Sequence, residues 1–145
     1  MTSSTSPELR EQVGRLSIHI EGMGHAASPI PAAAVIGNML MTSGVSGRDP
    51  LTGAISNELA EQVRGLFSNL RRILETAGGS ADDVLKCTFF VRDRALCRKA
   101  IDVEWTEMFP DPTARPARHT LAYELPGGID VQCELVAILD RQRQP

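Results

Sequence analysis

The chain has 145 residues, of which 42% are hydrophobic and 23% are charged, and its net charge at neutral pH is −3. This length is that of one domain with one sizeable core, and the composition is typical of a globular protein rather than a disordered one. The negative charge and an aromatic content of 4% argue against nucleic-acid binding, which needs a basic surface and uses aromatic side chains to stack bases.

The predicted elements begin after a short polar segment. Residues 1–14 are expected to form a flexible or helical N-terminal arm, and one domain is expected over residues 15–145. Apolar residues alternate with polar ones at residues 16–20, which predicts a half-buried strand. A second strand is predicted over residues 35–43, after a loop rich in Gly, Ala and Pro.

Two helices flank the third predicted strand. An apolar stripe at helical spacing, which Ser56 or Asn57 can cap and Gly78 ends, predicts the clearest helix of the sequence. In the strand that follows, alternate positions from Leu85 onward are expected to share one face. The predicted bounds are residues 59–77 for the first helix, 83–91 for the strand and 95–109 for the second helix.

The last third of the chain is predicted to be a β-hairpin. Residues 118–125 form one strand, Pro126-Gly127-Gly128 the turn, and residues 130–139 the partner strand. The predicted order is therefore ββαβαββ. This is an α+β fold in which both helices pack on one face of a single mixed sheet.

The final strand carries a signal for assembly. One of its faces is apolar throughout and is expected to pack on the helices. The opposite face begins polar, with Gln132 and Glu134, and turns apolar at Val136 and Ile138. Because a water-facing side of an antiparallel sheet normally stays polar, we expect a second copy of the chain to cover this face.

Arg118 and Glu134 occupy the two strands of the predicted hairpin at comparable distances from its turn, so they are expected to come close in space. An arginine grips a carboxylate through two charge-assisted hydrogen bonds, and a glutamate can orient or deprotonate a water. The pair suits attack of water on a small carboxylate substrate. On spacing alone, a structural cross-strand ion pair is the favoured interpretation.

The cysteines and the remaining basic residues suggest no further site. Cys87 and Cys133 are expected to be small buried residues. Cys97 lies near a helix start, which can lower a thiol pKa, but it has no partner for nucleophilic chemistry. Arg94 and Arg98 lie among acidic residues, which indicates a solvated charged face. No segment resembles a signal peptide or reaches the length of a membrane span, so a cytoplasmic location is expected.

A set of segments spread over residues 29–139 carries a resemblance to a known family. These segments are VIGNMLMTSG, DPLTG, ILETAGGSADDVLKCTFFVRD, EMFP, RPARHTL, ELPGG and DVQCELVAIL. In this order and spacing they resemble the Rid family, the reactive-intermediate deaminases, which are also called the YjgF family or, in older labels, L-PSP endoribonucleases. The most specific part is RPAR followed by the LP turn and a strand with a central Glu.

The resemblance implies a chorismate-mutase-like fold and a homotrimer with sites in the clefts between subunits. It also implies hydrolysis of reactive 2-imino or enamine carboxylic acids to 2-oxo acids and ammonia, without a cofactor or metal. The family's carboxylate-gripping arginine falls on Arg118 and its water-positioning glutamate on Glu134. Its Ser-Gly at the end of the second strand falls on Ser43 and Gly44.

The chain departs from the family pattern around the expected site. The family's typical Tyr after an early Pro is Ile30 here, and its Asn in the second helix is Asp102. Its Ser and Cys after the arginine are His119 and Thr120. Ile30 makes one pocket wall apolar, and Asp102 either repels an anionic substrate or pairs with Arg118. His119 is adjacent to Arg118 in sequence, so it points to the opposite face of the strand.

Three functions remain open at this stage. The first is an imine or enamine deaminase that acts on a small carboxylate. The second is a non-catalytic trimer that binds a small carboxylate or a protein partner on the same scaffold. The third, an endoribonuclease or translation inhibitor, has the least support, because no pair of histidines and no metal cluster suggests phosphodiester chemistry.

Overall fold

A computed structural model describes residues 14–24 and 28–140. The predicted N-terminal arm, apart from Gly14, lies outside the described residues. Within the described ranges the chain forms seven β-strands, two α-helices and one turn of 3-10 helix. In chain order these are β1 (Arg15–Ile18), β2 (Ala33–Ile36), β3 (Met39–Thr42), β4 (Val45–Ser46), α1 (Leu59–Thr76), the 3-10 turn (Ala81–Asp83), β5 (Val84–Val91), α2 (Arg94–Met108), β6 (Ala117–Ala122) and β7 (Val131–Ile138).

The strands form one mixed sheet with the order β1-β2-β3-β7-β5-β6, and β4 also pairs with β7. Both helices pack on one face, so the predicted α+β class with two helices on a single sheet is confirmed. The core lies between the helices and this face. At its centre the Phe67 ring on α1 stacks on the Phe89 ring of β5 at 5.8 Å between centroids, and the Trp105 ring on α2 meets Phe89 edge-on at 6.2 Å.

The predicted β6–β7 hairpin is wrong. Strand β5 lies between β6 and β7, parallel to the first and antiparallel to the second. The physical reason is the helix between β5 and β6, since a strand–helix–strand crossover places its two strands side by side and parallel. Strand β7 then returns to the other side of β5. The Arg92 guanidinium holds this connection by donating to the carbonyl oxygens of Leu125, Pro126 and Ile129 at 2.8–3.0 Å.

Two strand predictions also need correction. The predicted strand over residues 35–43 is a hairpin of β2 and β3, because Gly37 has a φ of +61° and forms a two-residue turn with Asn38. In β5, Leu85 does not share a face with Cys87: its side chain is exposed while Cys87 is buried. The ladder with β7 shifts by one residue between Val84 and Lys86, and this bulge turns Leu85 outward.

The first helix follows its sequence pattern closely. The apolar stripe from Val63 to Leu74 is buried, and Gly78, with a φ of +85°, lies just after the end of the helix. The predicted caps are not the caps observed: Glu58 occupies the capping position without a side-chain hydrogen bond, although the Ser56 hydroxyl accepts from the Glu58 amide at 3.0 Å. Among the described residues neither helix is long and apolar enough to cross a membrane.

The face of the sheet away from the helices is apolar over β2, β3 and the end of β7. Ile36, Met39 and Met41 are about half exposed, at 59%, 46% and 53%. Val136 and Ile138 share this face, since they pair with Met41 and Met39. The prediction that the second face of β7 turns apolar is confirmed, and in one chain it faces solvent.

Helix α1 packs directly on the backbone of β4. The Asn69 side-chain amide donates to the carbonyl oxygens of Ser46 and Arg48, both at 2.9 Å. A Cβ at Gly47 would lie 2.1 Å from the carbonyl oxygen of Gln62, and a Cβ at Gly65 would lie 2.8 Å from that of Gly47. Glycine at these two positions therefore sets the distance between helix and strand.

Gly47→Ala is therefore expected to lower the free energy of unfolding by about 1–3 kcal/mol, because the methyl group forces the helix away from the strand. Urea denaturation of the variant measures the loss. Gly127→Ala is the matched control, since a Cβ there meets nothing within 4 Å. Equal stability of the two variants would contradict the close packing of α1 on β4.

Candidate functional site

Arg118 lies on the edge strand β6, where it pairs with Cys87 and so points to the helix-covered face. Its Nη1 atom lies 2.8 Å from Oδ1 of Asp102 on α2. Its guanidinium also lies over the Trp105 ring at 5.1 Å and the Phe89 ring at 5.7 Å from their centroids. The Arg118 side chain is 21% exposed against 52% for Asp102. The guanidinium is thus fixed by packing and one ion pair, with part of its surface in solvent.

A cavity of about 570 Å³ opens beside this guanidinium. Arg118 and Thr120 line it from β6, since residues two apart on a strand share a face. Arg94, Ala95 and Arg98 line it from the first turns of α2. Arg94 and Arg98 are exposed, as expected of a solvated charged face, but their convergence on the cavity was not predicted. The available signal was their spacing of four residues, which places both on one side of the helix.

Glu134 lies on the other face of the sheet. It pairs with Thr88 on β5, whereas Arg118 pairs with Cys87, the neighbour whose side chain points the opposite way. Strand β5 also separates the two strands, so their backbones are roughly 10 Å apart, or two strand spacings. The expectation that Arg118 and Glu134 come close in space is therefore wrong within one chain, and so is the cross-strand ion pair.

His119 shares the face of Glu134, because both pair with Thr88 from opposite sides. The prediction that His119 points away from Arg118 is confirmed. The open face thus carries a polar row of His119, Thr88 and Glu134 across β6, β5 and β7. This row lies beside the apolar area formed by β2, β3 and the end of β7.

Ser43 and Gly44 form a bulge between β3 and β4. Met41 pairs with Val136 and Val45 pairs with Cys133, so one strand has one residue more than its partner over this stretch. The Ser43 hydroxyl donates to the carbonyl oxygen of Pro31 at 2.8 Å.

The loop that carries Ile30 is tied to the bulge through this bond and through the Ser43 amide, which donates to the Ala32 carbonyl at 2.9 Å. The Ile30 side chain is 43% exposed. Ile30, Ser43 and Gly44 therefore lie on the β3 side of the sheet. Arg118, Thr120 and Asp102 lie at its β6 edge, so one chain separates the expected site residues into two groups.

The cysteines do not add a nucleophile. Burial raises the pKa of the Cys97 thiol, and the negative charges of Asp130 and Asp93 act in the same direction. Burial also raises the pKa of Cys133 well above its ordinary value. Desolvation thus outweighs the hydrogen bond with the Asp93 backbone, which lowers the pKa of Cys97. The predicted burial of Cys87 and Cys133 is confirmed. Residues 14–24 and 28–140 contain no cluster of three or more His, Cys, Asp or Glu residues that could hold a metal ion.

Comparison with known proteins gives consistent results. A model of the family described as Endoribonuclease L-PSP matches residues 25–139. A RutC family protein of Aquifex aeolicus is 32% identical over 76% of this chain and 88% of its own length. A 2-iminobutanoate/2-iminopropanoate deaminase of Salmonella typhimurium is 29% identical over 84% of this chain and 96% of its own. The crystal structure of the Escherichia coli YjgF gene product superposes with a TM-score of 0.75 at 29% identity, covering 85% of this chain and 98% of that one.

Asp102→Asn is expected to strengthen binding of a small carboxylate such as 2-oxobutanoate roughly 3- to 10-fold, because it removes the negative charge that competes for the Arg118 guanidinium. Isothermal titration calorimetry at low salt measures the change. Asp82→Asn, a charge removal in the exposed 3-10 turn, is the control. Unchanged binding by Asp102→Asn would contradict the competition, and weaker binding would show that the ion pair instead supports the carboxylate site.

Proposed function

The chain belongs to the Rid family, also called the YjgF or endoribonuclease L-PSP family, and we propose that it hydrolyses reactive 2-imino or enamine carboxylic acids to 2-oxo acids and ammonia. The observation that carries the proposal is the Arg118 guanidinium, which two aromatic rings and Asp102 hold at the wall of an open cavity. Similarity to relatives named as 2-iminobutanoate/2-iminopropanoate deaminases supports it.

Arg118 binds the substrate carboxylate in this mechanism. Its Nη1 atom contacts Asp102, and among the described residues its Nε and Nη2 atoms have no ion-pair partner. These two donors can grip a carboxylate along one edge of the guanidinium. Thr120, two residues further along the same face of β6, also lines the cavity, and its hydroxyl is a second candidate donor to the carboxylate. Fixing the carboxylate in this way places the imine carbon at a defined position for attack.

Glu134 positions the attacking water. The water oxygen forms a bond to the imine carbon, and the C=N electron pair moves to the nitrogen. Glu134 accepts the proton that the water loses and returns it to the nitrogen, which gives the neutral tetrahedral carbinolamine. Glu134 then passes the hydroxyl proton of this species to the nitrogen as the C–N bond breaks and the carbon–oxygen double bond forms, which gives the 2-oxo acid and ammonia. Because imines already hydrolyse in water, positioning and modest base assistance are sufficient without a cofactor.

The complete site is proposed to form between copies of the chain. Within one chain Arg118 and Glu134 lie on opposite faces of the sheet, so one substrate cannot contact both of them. A neighbouring copy that covers the apolar open face would bring its β6 edge toward Glu134, Ser43 and Ile30. This arrangement accounts for the separation of the site residues and for the exposed side chains of Met39 and Met41. A homotrimer with three such clefts is the assembly that we propose.

A second candidate is a non-catalytic trimer that binds a small carboxylate. The separation of Arg118 from Glu134 within one chain favours it, because carboxylate binding needs only Arg118. Both candidates need Arg118, but only hydrolysis needs Glu134. An endoribonuclease activity, which the family description names, has no support from a chain with a net charge of −3.

Wild-type protein is expected to accelerate the release of 2-oxo acid from freshly generated 2-iminobutanoate. Arg118→Ala and Glu134→Ala are each expected to lower kcat/KM roughly 100-fold or more, since the first loses the carboxylate grip and the second the base. Arg72→Ala and Glu75→Ala remove the same charges from the exposed face of α1 and are the controls. If wild type does not exceed buffer, hydrolysis of this substrate is excluded. If Glu134→Ala still binds the carboxylate and wild type turns over no imine, the second candidate, a non-catalytic carboxylate-binding protein, would be established.

Mixed assemblies test whether the site lies between subunits. Arg118→Ala and Glu134→Ala chains, each inactive alone, are co-expressed with different tags and the mixed oligomers are purified. A cleft with Arg118 from one chain and Glu134 from the other is intact, so random mixing restores about a quarter of the sites. Light scattering measures the oligomeric state. Mixed oligomers without activity, or an active monomer, would contradict the proposed cleft.

A further inference from the structure

The cavity beside Arg118 holds more positive charge than one carboxylate requires. Three arginines line it, Arg94, Arg98 and Arg118. Asp102 neutralises only the third, and among the described residues neither Arg94 nor Arg98 has an ion-pair partner. The nearby Asp93 carboxylate caps α2, where it accepts from the Leu96 amide at 3.1 Å. Two cations therefore remain at the mouth of the cavity after the substrate's first carboxylate has bound.

The placement of these two arginines works against the stability of the helix. Arg94 is the first residue of α2, where the helix dipole disfavours positive charge, and the first turn contains no acidic residue. Arg98 follows by four residues, so like charges adjoin on one side of the helix. A solvated face chosen for stability would carry acidic residues there. Residues that break local rules and converge on a cavity are typical of a ligand-binding site.

We propose that the substrate of this chain carries a second anionic group, a carboxylate at the end remote from the imine, and that Arg94 and Arg98 bind it. This inference rests on the proposed hydrolase function and specifies its substrate class as dicarboxylic imino or enamine acids. Arg118 holds the carboxylate next to the reacting carbon, while the two arginines on α2 hold the distal one.

The spacing of the two arginines agrees with this assignment. Arg94 and Arg98 are one helical turn apart, so one carboxylate can contact both guanidinium groups.

The test compares two imines of equal chain length, 2-iminoglutarate and 2-iminopentanoate, generated in place by an amino-acid oxidase from glutamate and norvaline. Wild type is expected to show a kcat/KM roughly tenfold or more higher for the dicarboxylate. Arg94→Gln with Arg98→Gln is expected to remove most of this preference by lowering turnover of 2-iminoglutarate alone. Lys99→Gln, an exposed charge removal on the same helix, is the control. Thermal unfolding of the double variant should match or exceed wild type, which separates lost recognition from misfolding.

Equal turnover of both imines by wild type would overturn the inference and leave the hydrolase function intact. A double variant that lowers the turnover of both imines by the same factor would also overturn the inference. If neither imine is turned over, calorimetric binding of 2-oxoglutarate and 2-oxopentanoate decides whether the second anion site exists. A preference for 2-oxoglutarate that the double variant abolishes supports the second anion site although the hydrolase proposal fails. Equal binding of 2-oxoglutarate and 2-oxopentanoate would overturn the second anion site as well.

Discussion

The position of β7 between β3 and β5 governs the rest of the structure. The strand–helix–strand unit of β5, α2 and β6 places β6 at one edge of the sheet, and β7 can pair only on the other side of β5. This order buries one face of β7 on the helix-covered side of the sheet, where it contacts α1. It also determines which strand positions share a face, so that Arg118 belongs to the helix-covered side and Glu134 to the open side. One chain therefore cannot bring both residues to the same substrate, and the apolar area around Met39 and Met41 lies exposed on the side of Glu134.

Much of the fold could be predicted from local patterns, because these depend on one element at a time. Two such predictions are confirmed: the buried stripe of α1 from Val63 to Leu74 and the apolar end of the second face of β7. The errors arose where pairing is non-local. Residues 118–125 and 130–139 follow each other across a Gly-rich turn, which suggested a hairpin, although the helix before them already required β6 to lie beside β5. The bulge at Leu85 was invisible for a similar reason, since an extra residue is recognised only against its partner strand.

In the candidate site, too, residue positions could be predicted from the sequence, whereas their surroundings in space could not. The resemblance to the family supplied Arg118, Glu134, Ser43 and Gly44 as positions, and the departures at Asp102 and Thr120 fall beside Arg118 in space. The spacing of Arg94 and Arg98 places both on one side of α2, but the sequence did not show what that side faces, and acidic neighbours such as Asp93 suggested a solvated surface. Only the packing of α2 against β6 shows that Asp93 caps the helix and leaves both arginines to the cavity. Within one small volume, the charge of Arg118 is held in an ion pair with Asp102, whereas Arg94 and Arg98 have no ion-pair partner among the described residues.

The connection between β6 and β7 has a consequence for motion. It has no regular structure, yet the Arg92 side chain binds three of its carbonyl oxygens, and the amide of Asp130 donates to the buried Gln62 side chain at 3.0 Å. These bonds replace the ladder hydrogen bonds that a hairpin would have formed. We therefore expect exchange of the Asp130 amide with solvent to require rupture of its bond to α1 rather than fluctuation of a free loop. The same bonds tie this irregular segment to the core immediately before β7, the strand that carries Glu134 on the open face.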